Sequence, residues 1–143
     1  QFKIDFIIMC NKLGIQPMWL LMVMYKESKL KAGAINPYNG ASGLIQFVRK
    51  TADALGTSVE KIRTLNAVDQ LPLVYKYLLP FRNQLNSFDD VYCAVYLPLL
   101  LGKPLNYIIP SKYYKANEGL DLDKNKIITK KEFLLWAQKN QLK

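Results

Sequence analysis

Residues 18–25 read Met-Trp-Leu-Leu-Met-Val-Met-Tyr, eight apolar residues in succession. A helix that is apolar on every side has no face to offer water, and this run is far short of the ~20 residues that cross a bilayer. It is therefore expected to lie inside a fold, with the rest of the chain built around it. Pro17 suits the first turn of such a helix, where its missing N–H is not needed. Upstream, Phe2, Phe6, Ile7, Cys10 and Leu13 form a helical stripe that Gly14 ends. Downstream, the run meets Lys26, Glu27 and Ser28. Residues 32–43 then hold Gly33, Asn36, Pro37, Asn39, Gly40 and Gly43, which is loop chemistry with room for a small hairpin.

Helical patterns resume over residues 48–55 and stop at Gly56. Thr57 with Glu60 reads as a capping box for a short helix to Leu65. Asn66 with Asp69 opens another helix, carrying Leu71, Val74 and Leu78. Ser87 with Asp90 opens the next, through Tyr92 and Tyr96, with Pro98 to bend or end it. Thr129 with Glu132 opens a last helix through Phe133 and Trp136. No internal repeat or run of strands interrupts this order. The expected fold is mostly α, a helical domain over residues 1–143 with one irregular loop or small hairpin around residues 32–46. Half the residues are hydrophobic, enough for a core without disulfides or metals, so Cys10 and Cys93 read as buried free thiols. The chain opens at Gln1 with no basic-then-apolar leader, as expected of a mature chain or a part of a longer one.

Lys and Arg number 20 against 11 Asp and Glu, a net charge of +9, and there is no histidine. The missing histidine excludes Ser-His-Asp and Cys-His catalysis and any His-ligated zinc. Acid–base chemistry then falls to carboxyls, tyrosines or lysines. The positive charge points to an anionic partner: nucleic acid, anionic lipid or a bacterial cell-wall polymer. The lysines are scattered, and no zinc-knuckle or RNP-like signature accompanies them, so nucleic acid is not expected. Membrane insertion is not expected either.

Glu27 is the first carboxylate after the apolar helix. Leu20, Val23 and Met24 lie seven, four and three positions before it, on the face that turns to the core. Apolar surroundings disfavour its charged form, and the negative end of the helix dipole pushes the same way. A glutamic acid still protonated near neutral pH is what general-acid cleavage of a glycosidic bond requires.

Around it stand Glu27-Ser28, Asn36-Pro37, residues 41–47 (Ala-Ser-Gly-Leu-Ile-Gln-Phe), Thr51-Ala52 and Leu55-Gly56. This pattern resembles the soluble (SLT) lytic transglycosylases, whose shared motifs run Glu-Ser, a loop, Gly-Leu-Met-Gln and Thr-Ala. Weaker likeness, with a bacteriophage-encoded flavour, continues through Asp69-Gln70-Leu71 and residues 90–96. The resemblance implies a lysozyme-like α+β fold and cleavage of the β-1,4 bond between N-acetylmuramic acid and N-acetylglucosamine. It implies Glu27 as the single acid and base, and a 1,6-anhydromuramoyl product. It also implies that Ser42, Gly43 and Gln46 line the sugar cleft. Tyr96 would match the tyrosine that hydrogen-bonds the catalytic glutamate, with Tyr92 one turn away as its competitor. Tyr38 is a candidate for stacking on a sugar ring. The implied partner is peptidoglycan and the implied place of action is the bacterial wall, extracellular, periplasmic or virion-borne, by a monomeric domain.

Residues 121–132 add a separate pattern. Asp121, Asp123, Asn125, the Ile127 carbonyl, Thr129 and Glu132 fall at the oxygen positions of an EF-hand-like loop, with Lys126 where glycine is usual. Two readings fit: a structural Ca2+ loop, or an Asp/Asn-rich turn leading into the Thr129–Glu132 capping box. No cofactor is expected for catalysis. Two other functions compete with the transglycosylase reading: a muramidase of the same fold, and a non-catalytic wall-binding or phage-tail structural domain.

Overall fold

The computed structural model describes residues 1–139; the last four of the expected 1–143 domain lie outside the described residues. Seven α-helices carry the fold: α1 Phe2–Leu13, α2 Pro17–Ser28, α3 Arg49–Ala54, α4 Val59–Thr64, α5 Ala67–Leu78, α6 Phe88–Tyr96 and α7 Lys130–Gln138. Short 3-10 turns fill the gaps, including Ser111–Tyr113 and Lys115–Leu120 between α6 and α7. Gly14, at φ +69°, ends α1 in the left-handed conformation that glycine adopts at least cost. No helix among the described residues is long and apolar enough to cross a membrane.

Helix α2 holds the centre. Leu20, Val23 and Met24 are fully buried, with α1 and α6 packed on either side. Its apolar surface is not buried all round, however: Met18, in the first turn, stays more than half exposed. Helix α1 also packs on α5, and α6 on α7, so one apolar cluster runs from Phe6 to Ala137.

Side-chain caps fix the starts of four helices. Asn66, Ser87 and Thr129 each accept the backbone N–H three residues on, and Glu132 closes the Thr129 box. The cap of α4 is Ser58, which accepts from the Lys61 N–H, and not Thr57. The adjacent hydroxyls are one residue apart, and the chain uses the later one. Each cap contributes ~1 kcal/mol. Lysines serve the other ends: Lys76 donates to the Leu55 carbonyl past α3, and Lys26 to the carbonyls of Trp136 and Lys139 at the end of α7.

The loop between α2 and α3 forms no strand ladder. Its only β contacts are the single bridges Ile35–Ser42 and Ser42–Phe47. Its shape is held instead by Gln70 of α5, a fully buried side chain. Gln70 Oε1 accepts from the Leu44 N–H at 2.8 Å, and Nε2 donates to the Ala32 carbonyl at 2.7 Å and to those of Ile62 and Leu65 at 3.3 and 3.2 Å. Gln70→Ala strands these buried groups at a cost of ~1–3 kcal/mol for each unsatisfied group. We expect urea unfolding to show a loss of roughly 3 kcal/mol in this variant, and a loss below about 0.5 kcal/mol would refute the brace.

Candidate active site

Glu27 occupies the last turn of α2, and the chain leaves the helix abruptly behind it. Lys29 and Leu30, at φ 55° and 61°, both take left-handed backbone, which is costly for non-glycine residues. Ser28, buried between them and Glu27, donates its hydroxyl to the Met24 and Leu44 carbonyls at 2.9 and 2.8 Å. Leu44 is thus pinned at both polar ends, its N–H by Gln70 and its carbonyl by Ser28. The loop is locked against the residue next to Glu27.

The other loop residues divide by role. Gly43 sits at φ +89°, and a Cβ there would lie 2.7 Å from Gln70 Oε1 and 2.9 Å from Ile62. The freedom of this glycine is spent on close approach to the protein's own brace. Ser42 is fully buried; its hydroxyl donates to the Gly40 carbonyl and accepts from Arg63 Nε at 2.9 Å. Its side chain therefore builds the loop from within and does not face a cleft. Gln46, at φ 61° and partly buried, donates to the Gly43 and Ala34 carbonyls. Tyr38 stands at the loop tip, 96% exposed, with no packing to hold its ring.

Helix α6 brings two tyrosines to the same region, four residues apart and so on one face. Tyr92 is fully buried, and its hydroxyl has no hydrogen-bond partner in the protein. The Tyr96 hydroxyl donates to Asn117 Oδ1. Burial raises the pKa of both phenols, and the negative charge of Glu27 raises them further. Helix α7 backs this pair: Phe133 stacks on Tyr96 at 4.4 Å and meets Tyr92 edge-on at 5.4 Å, while Trp136 lies 5.9 Å from Tyr92.

In this apolar setting burial pushes the Glu27 carboxyl up to about 7; Lys26 opposes the shift. The Lys26 ammonium is restrained, 4.4 Å over the Trp136 ring and 2.9 Å from each of the Trp136 and Lys139 carbonyl oxygens. No second carboxylate bears on Glu27 among the described residues. The arrangement provides a carboxyl whose ionisation burial disfavours, within electrostatic range of two phenols that burial also keeps protonated.

The loop at residues 121–132 lies apart from these groups. Carboxylate oxygens of Asp121, Asp123 and Glu132 come within 4.8 Å of one another. Lys124 and Lys126 adopt left-handed backbone, at φ 57° and 69°. Asp121 accepts from the Tyr114 hydroxyl and the Lys126 N–H, Asn125 from the Ile127 N–H, and Glu132 from the Leu122 and Thr129 N–H groups. Burial raises the Asp121 pKa, but these hydrogen bonds outweigh it and lower it overall. The oxygen donors suit a hard cation, and they also satisfy the turn and cap without one.

With the geometry in place, comparison with known families is decisive: the profile of the Transglycosylase SLT domain matches residues 6–95, more than half of the chain. The chain belongs to this family. No curated protein and no solved structure matches it. The mostly helical architecture is that of the lysozyme-like SLT fold, and the family places the chain among glycosidic-bond-cleaving enzymes of cell-wall peptidoglycan. The SLT match takes in Glu27, the loop, Gln70 and Tyr92, and ends one residue before Tyr96.

Several residues that shape this SLT site escaped the sequence reading. Gln70 had a signal: it shares an i, i+4, i+8 line with Val74 and Leu78, a polar side chain in an apolar stripe. Asn117 had none, since the tyrosine it accepts from lies 21 residues away along the chain.

A carboxyl whose folded pKa lies above its ordinary 4.5 destabilises the fold once pH exceeds both values. Below about 4.5 it is protonated in both states and contributes nothing; the penalty grows as pH rises through 4.5 to 7. Glu27→Gln is therefore expected to match wild type near pH 4 and to exceed it by about 2–3 kcal/mol near pH 8. Denaturant unfolding at the two pH values measures the difference. Equal differences at both would contradict the raised carboxyl.

Proposed function

We propose that the chain is a peptidoglycan lytic transglycosylase in which Glu27 is the sole general acid and base. The observation that carries this reading is a carboxyl raised to about 7 by burial, with no second carboxylate acting on it and with the phenols of the buried Tyr92 and half-buried Tyr96 in its electrostatic range. Glu27 gives its proton to the glycosidic oxygen between N-acetylmuramic acid and N-acetylglucosamine, and the bond from the muramoyl C1 to that oxygen breaks with its electron pair on the leaving oxygen. The Glu27 carboxylate then takes the proton of the muramoyl 6-hydroxyl, whose oxygen bonds to C1. The proton count closes on one residue, and a 1,6-anhydro sugar results.

The absence of a second carboxylate acting on Glu27, among the described residues, favours this route over a muramidase. Hydrolysis usually recruits a second carboxylate, either to activate water or to attack the sugar. Gln46 and Tyr38, on the loop that Gln70 and Ser28 fix beside Glu27, are the proposed sugar contacts; Ser42 and Gly43 support them from inside. Tyr92 and Tyr96 keep the acid in a dry, uncharged setting. The surplus positive charge suits an anionic wall: Arg49–Glu60 is the only salt bridge among the described residues, which leaves most cations free for a polymer. Place of action at the wall follows from the substrate; a virion-borne role is part of the same proposal. For the loop at residues 121–132 we propose a structural Ca2+, held by Asp121, Asp123, Asn125, the Ile127 carbonyl and Glu132. Bound there it would fix the start of α7, and no catalytic step involves it.

Two measurements test these readings. Digestion of purified peptidoglycan is expected to release muropeptides one water lighter than hydrolytic products, and Glu27→Gln to lower the rate by at least about a hundredfold, at the low end for a general acid. Hydrated, reducing ends would identify a muramidase, and wall lysis surviving in Glu27→Gln would remove Glu27 from the chemistry. Separately, Ca2+ at about tenfold over its dissociation constant is expected to raise Tm by roughly 3–5 °C relative to EDTA. An unchanged Tm would leave the loop a turn and a cap.

A further inference from the structure

Helices α1 and α5 pack together but leave a groove of about 360 Å³ between them, and none of its lining residues belongs to the site around Glu27. Its apolar lining includes Ile8, Leu71 and Tyr75. The α1 side carries isoleucines that the fold leaves in water: Ile4 is 58% exposed and Ile8 49%. Four residues apart, these two are neighbours on the helix surface, an apolar ridge beside an apolar groove.

The polar part of the groove is short of donors. Asp5 and Asp69 line it, and neither forms a salt bridge among the described residues; Asp5 accepts from the Gln1 side-chain amide at 2.8 Å. Pro72 lies inside α5 and has no N–H, so the Val68 carbonyl lacks its usual helical donor, and both residues line the groove. An occupant that fits therefore has an apolar body and a cationic, donor-rich end. Lys12 is the one base in the lining, and it too forms no salt bridge among the described residues.

Helix α1 itself answers to that description. Gln1, Asp5, Ile8 and Lys12 follow a four-three-four spacing, which sets them on one line along the helix. An acid stands near its start, a base two turns on, and an isoleucine between them. Reversed end for end, this line is its own complement, with acid facing base at both ends and isoleucine near isoleucine. A two-fold axis across the helix performs that reversal.

We propose that this face is a self-association surface: two copies of the chain pack α1 against α1 in antiparallel sense about a two-fold axis. Asp5 of each copy then meets Lys12 of the other, and the Ile4–Ile8 ridge of each lies against the other's groove. The charge order on α1 thus points to a dimer where the SLT resemblance carries the expectation of a monomer. Nothing in it depends on the role of Glu27. Two copies at +9 repel one another at a distance, so the association is weak and reversible.

Sedimentation equilibrium over a concentration series up to ~1 mM tests the proposal. The wild-type chain is expected to pass from 16.5 kDa to twice that mass. Asp5→Lys and Lys12→Asp should each raise the dissociation constant by at least about tenfold, because each sets like charges against one another at both ion pairs. The double variant restores opposite charges and should return close to wild type. At a concentration where neither single variant dimerises alone, an equimolar mixture of the two should dimerise, since one brings bases to both positions and the other acids. Net charge alone predicts another pattern: Asp5→Lys would weaken association and Lys12→Asp, which makes the chain less positive, would strengthen it. Ile8→Arg leaves both ion pairs in place and should also give a monomer, which keeps the test open if a charge variant fails to fold. A wild-type chain that stays at 16.5 kDa, tighter association in Lys12→Asp, a mixture that stays monomeric, or a dimer indifferent to these substitutions overturns the proposal.

Discussion

The side-chain amide of Gln70 is the interaction on which the rest of the site depends. A loop of twelve or more residues with no strand ladder has few backbone partners of its own, and buried backbone groups cannot be left unpaired. Gln70 brings one acceptor and two donors to the point where the loop, α4 and α5 converge, and it satisfies four backbone groups there. Gly43 is the other half of the same device, because any side chain at that position would occupy the space of the amide. With Ser28 holding the far side of Leu44, the loop and the end of α2 become one rigid unit. Glu27 inherits its surroundings from that unit.

Those surroundings carry a cost that the fold does not recover. Burial that keeps the carboxyl neutral destabilises the protein wherever the carboxylate must exist, and the left-handed Lys29, Leu30 and Gln46 add backbone strain nearby. Lys26 could relieve the first cost by pairing with Glu27. Instead its ammonium is drawn to the carbonyl end of α7 and the face of Trp136, where helix-end carbonyls and the ring quadrupole compete for it. A salt bridge between the two would have stabilised the fold and removed the acid. Strain and an unpaired carboxyl in one place are the mark of function opposing stability.

How much of this the sequence discloses depends on the range of the interaction. Gly14, Pro17 and the caps at Asn66, Ser87 and Thr129 act within four residues, and their helices begin and end where those residues lie. Thr57 and Ser58 show the limit of the local argument, since both hydroxyls satisfy the pattern and only the folded geometry picks one. The position of Glu27 was legible because burial of its helix face follows from helical periodicity. The roles of Ser42 and Gly43 were not: a small residue in a loop reads alike whether it meets a sugar or a glutamine from another helix. A hairpin was likewise suggested by the Gly and Asn content of residues 32–46, yet a polar side chain from α5 replaces most of the ladder. Asn117 illustrates the extreme case, because its meaning lies in a tyrosine 21 residues away.

The SLT span and the segment beyond it make different contributions to the same carboxyl. Residues up to 95 supply the acid, the loop and the brace, which are enough to place a glutamic acid in an apolar recess. The later segment adds groups with no freedom of their own: a carbonyl at Tyr113, an amide at Asn117, carbonyls at the end of α7, and the rings of Phe133 and Trp136. Each is either an obligate acceptor, a side chain whose orientation an obligate acceptor dictates, or an apolar wall. Burial and the engagement of Lys26 then act together on the Glu27 carboxyl, one disfavouring its charge and the other holding the neighbouring cation at carbonyls and a ring.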